Sequence, residues 1–162
     1  MEVTLIYPNQ LFDPHPAIAR NRKIFLLEDP LFFGDEKYPL NFNKKKLLLH
    51  FLSMTSYANK LKNRGFSCEI IALAQLTGDN YFSGFLKLHR ITKIHLSEVV
   101  DFELNNRINK ASKETQTPID WHANPNFLLS SSDVKDDFSG KKFYFMANFY
   151  KKQRKRYNIL IN

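Results

Sequence analysis

The chain reads as an open, doubly wound α/β domain: a mostly parallel five-stranded sheet of Rossmann-like or flavodoxin-like type with helices on both faces. Two observations predict this. Short apolar runs without polar alternation suit strands covered on both faces, and these runs alternate with segments of helical periodicity. Right-handed crossovers then distribute the helices to the two sides.

Val3-Thr4-Leu5-Ile6-Tyr7 is the first strand, ended by the turn cluster Pro8-Asn9-Gln10. Ala17 to Arg20 has room for one helical turn, and Lys23-Ile24-Phe25-Leu26-Leu27-Glu28 is the second strand, stopped by Asp29-Pro30. Leu31 to Phe42 is expected to be an ordered loop. Asn43 to Arg64 is the clearest helix. Leu47, Leu48, Phe51, Leu52, Tyr57, Ala58 and Leu61 form its apolar side, Asn43 caps it and Gly65 ends it.

Phe66–Ala72 is the third strand and Asn80–His89 a second helix. Thr92–Leu96 is the fourth strand and Asp101–Thr115 a polar helix burying Phe102, Leu104 and Ile108. Pro118–Trp121 is a weak fifth strand. Asn124 to Gly140 is expected to be a polar connection, and Lys141 to Tyr157 a last helix, aromatic first and basic afterwards. The division expected is 1–124 for the α/β domain and 125–162 for the connection and basic helix.

The 162 residues suit one ordinary domain. Fifteen Phe and seven Tyr suit a packed core or a flat conjugated ligand. A net charge of +8 favours a polyanionic partner. The single cysteine, Cys68, excludes an internal disulfide and a four-thiolate cluster, and reads as an inert strand residue. No apolar stretch has the length of a membrane span and no leader precedes the first strand, so the cytoplasm is the expected location. There is no phosphate-binding glycine loop, no dinucleotide fingerprint and no zinc-protease motif. The chain by itself is therefore not expected to be a catalyst.

Three stretches carry a family resemblance. They are Leu5-Ile6-Tyr7-Pro8-Asn9-Gln10-Leu11; Leu27-Glu28-Asp29 with Lys44-Lys45-Lys46 and the helix it opens; and Phe149-Tyr150-Lys151-Lys152-Gln153-Arg154-Lys155-Arg156 followed by Asn158-Ile159-Leu160-Ile161. Together they resemble the deoxyribodipyrimidine photolyase-related proteins, the iron–sulfur bacterial photolyases and cryptochromes. The resemblance implies an amino-terminal antenna domain that binds a lumazine-type chromophore. It places the FAD and the iron–sulfur cluster in a helical carboxy-terminal domain that this chain does not contain. That domain would be the partner, with DNA engaged through the whole parent in repair or light sensing. One departure stands out: lumazine-binding members often have Gly-Asp where this chain has Pro8-Asn9, and Pro8 removes a backbone donor.

Ligands of such sheets bind at the carboxyl ends of the strands. The candidate cofactor residues are therefore Asn9, Gln10, Glu28, Asp29, Ser97 and Glu98, with Lys45 at the amino end of the long helix. The alternative is that these groups only satisfy loop and strand-end backbone. Lys151, Lys152, Arg154, Lys155 and Arg156 are the candidate nucleic-acid contacts. Two other functions stay open: a basic nucleotide- or nucleic-acid-binding module, and a scaffold that keeps the fold without a ligand.

Overall fold

The computed structural model describes residues 1–140 and 142–160. The chain forms two compact units, Met1–Pro125 and the segment from Asn126 onward.

The first unit is built on five parallel strands: β1 (Glu2–Ile6), β2 (Lys23–Leu27), β3 (Cys68–Ile71), β4 (Lys93–Ser97) and β5 (Ile119–His122). Their order is β3-β2-β1-β4-β5, so the direction of winding reverses between β1 and β4. Val3, Leu5, Ile24, Phe25, Leu26 and Ile94 are fully buried, which is what continuous apolar runs require of a sheet covered on both sides.

On one face lie α3 (Tyr81–Leu88) and α4 (Phe102–Thr115). They share a core with Val3, Leu5, Tyr7, Phe25, Leu27, Ile94 and Leu96. Asp101 caps α4 by accepting from the Leu104 amide, and Gln116 closes it in the left-handed region at φ 55°. On the other face α2 (Lys44–Asn63) packs Met54, Ala58 and Leu61 onto Ile6, Ile24 and Leu26. The Asn43 side chain caps α2 at the Lys45 amide, as expected, and Gly65 follows its end at φ 81°.

The structure corrects several expectations. Only the second half of α2 meets the sheet, so Leu48, Phe51 and Leu52 are exposed and not part of a buried stripe. Ala17 to Arg20 makes turns without a helix. The loop after β2 opens with a short helix, α1 (Pro30–Phe33), capped by Asp29. In the second unit the supposed connection contains α5 (Ser131–Phe138). The Ser130 hydroxyl and the Asp133 carboxylate form its capping box. The last helix, α6, spans Met146–Arg156, so Phe143, Tyr144 and Phe145 precede it. Lys141, where that helix was expected to start, lies outside the described residues, as does the Ile161-Asn162 end. Phe138 stacks on Phe149 at 5.1 Å and meets Tyr144 edge-on, which holds the second unit together. Among the described residues no helix is long and apolar enough to cross a membrane.

Candidate functional site

Asp29, at the end of β2, is fully buried, and its carboxylate accepts from the Leu31 amide at 3.0 Å and the Tyr81 hydroxyl at 2.7 Å. Burial pushes its pKa up to about 6, against the opposing pull of those two donors. Asp35, in the loop that follows α1, accepts from the backbone amides of Lys37 and Tyr38 and from two nitrogens of Arg107 on α4. Burial works against its charge, but Arg107 and the two amides outweigh it and lower its pKa. Arg107 also donates from Nε to Glu103 at 3.0 Å. Its guanidinium carbon stands 5.8 Å from the Tyr81 ring centroid and 5.7 Å from that of Tyr38. One arginine thus joins α4, the loop after α1 and the start of α3.

A cleft of about 990 Å³ opens beside this network. Asp35 and Lys37 come from the loop after β2, Leu76 to Asn80 from the loop after β3, and Tyr81, Asn106, Arg107 and Lys110 from α3 and α4. The cleft sits at the carboxyl ends of β2 and β3, one side of the topological reversal, where ligands of open α/β sheets collect. Its lining mixes cations, carboxylates and amides, which suits a ligand with several hydroxyl or carbonyl groups.

The profile of the family described as deoxyribodipyrimidine photo-lyase-related protein matches residues 4–162. The chain belongs to this family. It is also 29% identical over 170 residues to "Uncharacterized protein R852" of Acanthamoeba polyphaga mimivirus, a match covering 99% of this chain and 85% of that protein.

In this photolyase-related chain the expected site residues fall into three groups. Gln10, Ser97 and Glu98 are brought together at the β1 and β4 ends: Gln10 Nε2 donates to the Ser97 carbonyl at 3.0 Å and the Glu98 carbonyl at 3.3 Å. Ser97 Oγ donates to the Ala123 carbonyl, and Asn124 Nδ2 to that of Glu98. Glu28 and Asp29 serve the β2 end, where Glu28 accepts from the Leu73 amide at 3.0 Å. Asn9 and Lys45 are exposed, and Lys45 contributes its backbone amide to the Asn43 cap. None of the seven lines the 990 Å³ cleft. Asp29 reaches it indirectly, by anchoring Tyr81. Tyr7 Oη and Gln10 Oε1 are buried without a hydrogen-bond partner, both at the end of β1.

Sequence reasoning passed over Asp35, Tyr81 and Arg107. Asp35 and Arg107 are 72 positions apart, and only the fold pairs them. The Asp35-Glu36-Lys37 turn carried a local signal, since Asp commonly accepts from amides two and three residues on.

The basic residues of α6 are partly neutralised within the second unit. Lys152 pairs with Asp137, and Arg156 with Asp133. Arg154 donates to the Ile159 carbonyl and lies over Tyr150. Lys151 and Lys155 are exposed. Cys68 sits half-buried in β3, its thiol pushed up to about 11 chiefly by burial. It is a poor thiolate and a poor nucleophile.

Proposed function

We propose that this chain is the antenna-type, chromophore-binding domain of a photolyase-related protein, with a lumazine-type chromophore as its ligand. The position of the cleft carries the reading: a space of about 990 Å³ at the strand carboxyl ends of a chain in this family. Its size is at the upper end for a small-molecule site. The residues present fit such a group. Lys37, Asn106, Arg107 and Lys110 offer donors to a polyhydroxyl chain and to ring carbonyls. The partnerless Tyr7 hydroxyl and Gln10 carbonyl oxygen lie buried at the end of β1, outside this lining, and are no part of the proposed contacts.

When bound, the chromophore supplies absorption of near-ultraviolet or blue light and passes the excitation to a flavin on a helical partner domain. The chain's own residues bind it, fix its orientation and keep it dry. Arg107 holds the cleft wall by tying α4 to the Asp35 turn, and Asp29 fixes Tyr81 from below. In the intact parent this would serve DNA repair or light sensing.

A second reading, the ligand-free scaffold, draws on Phe32. Its ring lies 6.4 Å from that of Tyr7 and 6.1 Å from that of His50, packed across the end of β1. A third, the basic nucleic-acid module, draws on exposed Lys151 and Lys155. For that module, the double change Lys151→Glu and Lys155→Glu is expected to weaken DNA binding and flatten its salt dependence. Filter-binding titrations at several salt concentrations check this.

Thermal melting with and without a ribityl-lumazine separates the first two. A ligand at a hundred times its dissociation constant stabilises the native state by about 2.7 kcal/mol, a rise of roughly 5–10 °C for a chain of this size. The Asn106→Trp variant, which fills the cleft from an exposed position, is expected to lose the rise while melting like the parent alone.

A further inference from the structure

A second polar cluster lies on the opposite sheet face from the cleft. The register pairs Thr4 with His95 and His95 with Asp120, so these side chains share the face that carries Ile6. His122, two residues beyond Asp120, joins them. On this face α2 covers Ile24 and Leu26, while over β1 the connection of residues 7–22 supplies Ala17, whose carbonyl accepts from Thr4 Oγ1 at 2.8 Å. Here the sheet carries imidazoles and carboxylates.

We propose that His95 Nδ1, His122 Nε2 and an Asp120 carboxylate oxygen form a binding site for zinc or a similar borderline divalent cation. The three ligand atoms lie within 4.8 Å of one another. His95 Nδ1 is 3.3 Å from Asp120 Oδ2 and 3.5 Å from His122 Nε2. Two ligands of a tetrahedral zinc at bond lengths of about 2.0–2.1 Å stand about 3.3–3.4 Å apart, so both separations match one coordination edge.

The far side of His95 supports the same assignment. Its Nε2 is 2.9 Å from the Glu2 carboxylate, and its side chain is 4% exposed. A proton held on Nε2 by Glu2 leaves the Nδ1 lone pair directed at Asp120 and His122, the carboxylate–histidine–metal arrangement that orients ligating imidazoles. Arg22 approaches the same Nε2 at 3.2 Å, and its charge is also felt at His122. Lys93 holds Asp120 Oδ2 at 3.1 Å from a partly exposed position, and the carboxylate has a second oxygen to give it. His15 is 7% exposed with Nε2 unpartnered, and it lies near enough to His122 to feel its charge. Two imidazoles and one carboxylate favour zinc over magnesium or calcium, which take all-oxygen sets. The cation would fasten the edge strand β5 to β4.

The test uses the untagged full chain, stripped with a chelator and titrated with zinc chloride against a competing chelator, with magnesium chloride as control. One zinc per chain, a raised melting temperature and no response to magnesium are expected. His122→Ala and Asp120→Asn, both at partly exposed positions of an edge strand, are expected to abolish stoichiometric binding with an unchanged far-ultraviolet circular dichroism spectrum. Glu2→Gln is expected to weaken binding about 10–100-fold. Cobalt loading of the unmutated chain gives a readout independent of any variant: the strong visible bands of a tetrahedral site are expected. Absence of those bands, no stoichiometric zinc, or equal zinc binding by His122→Ala and Asp120→Asn would overturn the proposal.

Discussion

Asp29 is a carboxyl group held where water cannot reach it, and its protonation is linked to folding. Its native pKa, about 6, stands above the ordinary 3.8. Its contribution to stability is therefore fully present below pH 3.8 and is lost as the pH rises through 6. At about 1.4 kcal/mol per unit, the difference is on the order of 2–3 kcal/mol. Chemical denaturation at pH 5 and pH 7 should show Asp29→Asn, which keeps an acceptor for the Leu31 amide and turns a donor toward the Tyr81 hydroxyl oxygen, gaining on the parent at the higher pH. Equal pH slopes in the two proteins would remove the argument. Arg107→Met makes a complementary case, because it leaves the buried Asp35 carboxylate without its cation. A loss of about 3 kcal/mol is expected from urea unfolding, most of it the penalty of the abandoned charge. Neither residue announced this role in the sequence. Asp29 stood out as a strand-end carboxylate, while its burial and its pairing with Tyr81 exist only once β2 and α3 are side by side.

At the scale of elements, legibility followed hydrophobic pattern. β1 and β2 were readable as apolar runs stopped by Pro8 and by Asp29-Pro30, and β3 as one opened by Gly65, whereas β4 and β5 carry Lys93, His95, Asp120 and His122 and gave a weaker signal. The start of α2 was readable from Asn43, whose side chain does cap, while the Asp101 cap of α4 comes from the structure. α5 was not readable, because Ser131–Phe138 has only Val134 and Phe138 as apolar residues and its core is the stacking of Phe138 on Phe149. Its one local signal was the Ser130–Asp133 capping box. The buried face of α2 was misjudged because periodicity cannot tell which half of a long helix reaches the sheet. At the end of α4, Gln116 occupies a left-handed conformation that glycine adopts without strain. Gln116→Gly is expected to raise stability by about 0.5–1 kcal/mol in thermal or urea unfolding, and a loss of similar size would contradict the cap assignment.

At the scale of the first unit, winding reverses between β1 and β4, and the cleft lies to one side, at the carboxyl ends of β2 and β3. Fold class follows from the alternation of strands and helices, while the strand order β3-β2-β1-β4-β5 comes from the structure. The site does not follow from that alternation, because Gln10, Asp29 and Ser97 turn inward, Asn9 and Lys45 stay exposed, and the cleft is lined by the Asp35 turn, the loop after β3, α3 and α4. The central claim is that this cleft holds a chromophore. The most direct test is the absorbance spectrum of the purified full chain titrated with a ribityl-lumazine, run beside Asn106→Trp. The account predicts a saturable spectral shift with one ligand per chain, lost in the variant. An unshifted spectrum at every concentration, or a shift that Asn106→Trp leaves intact, would contradict it.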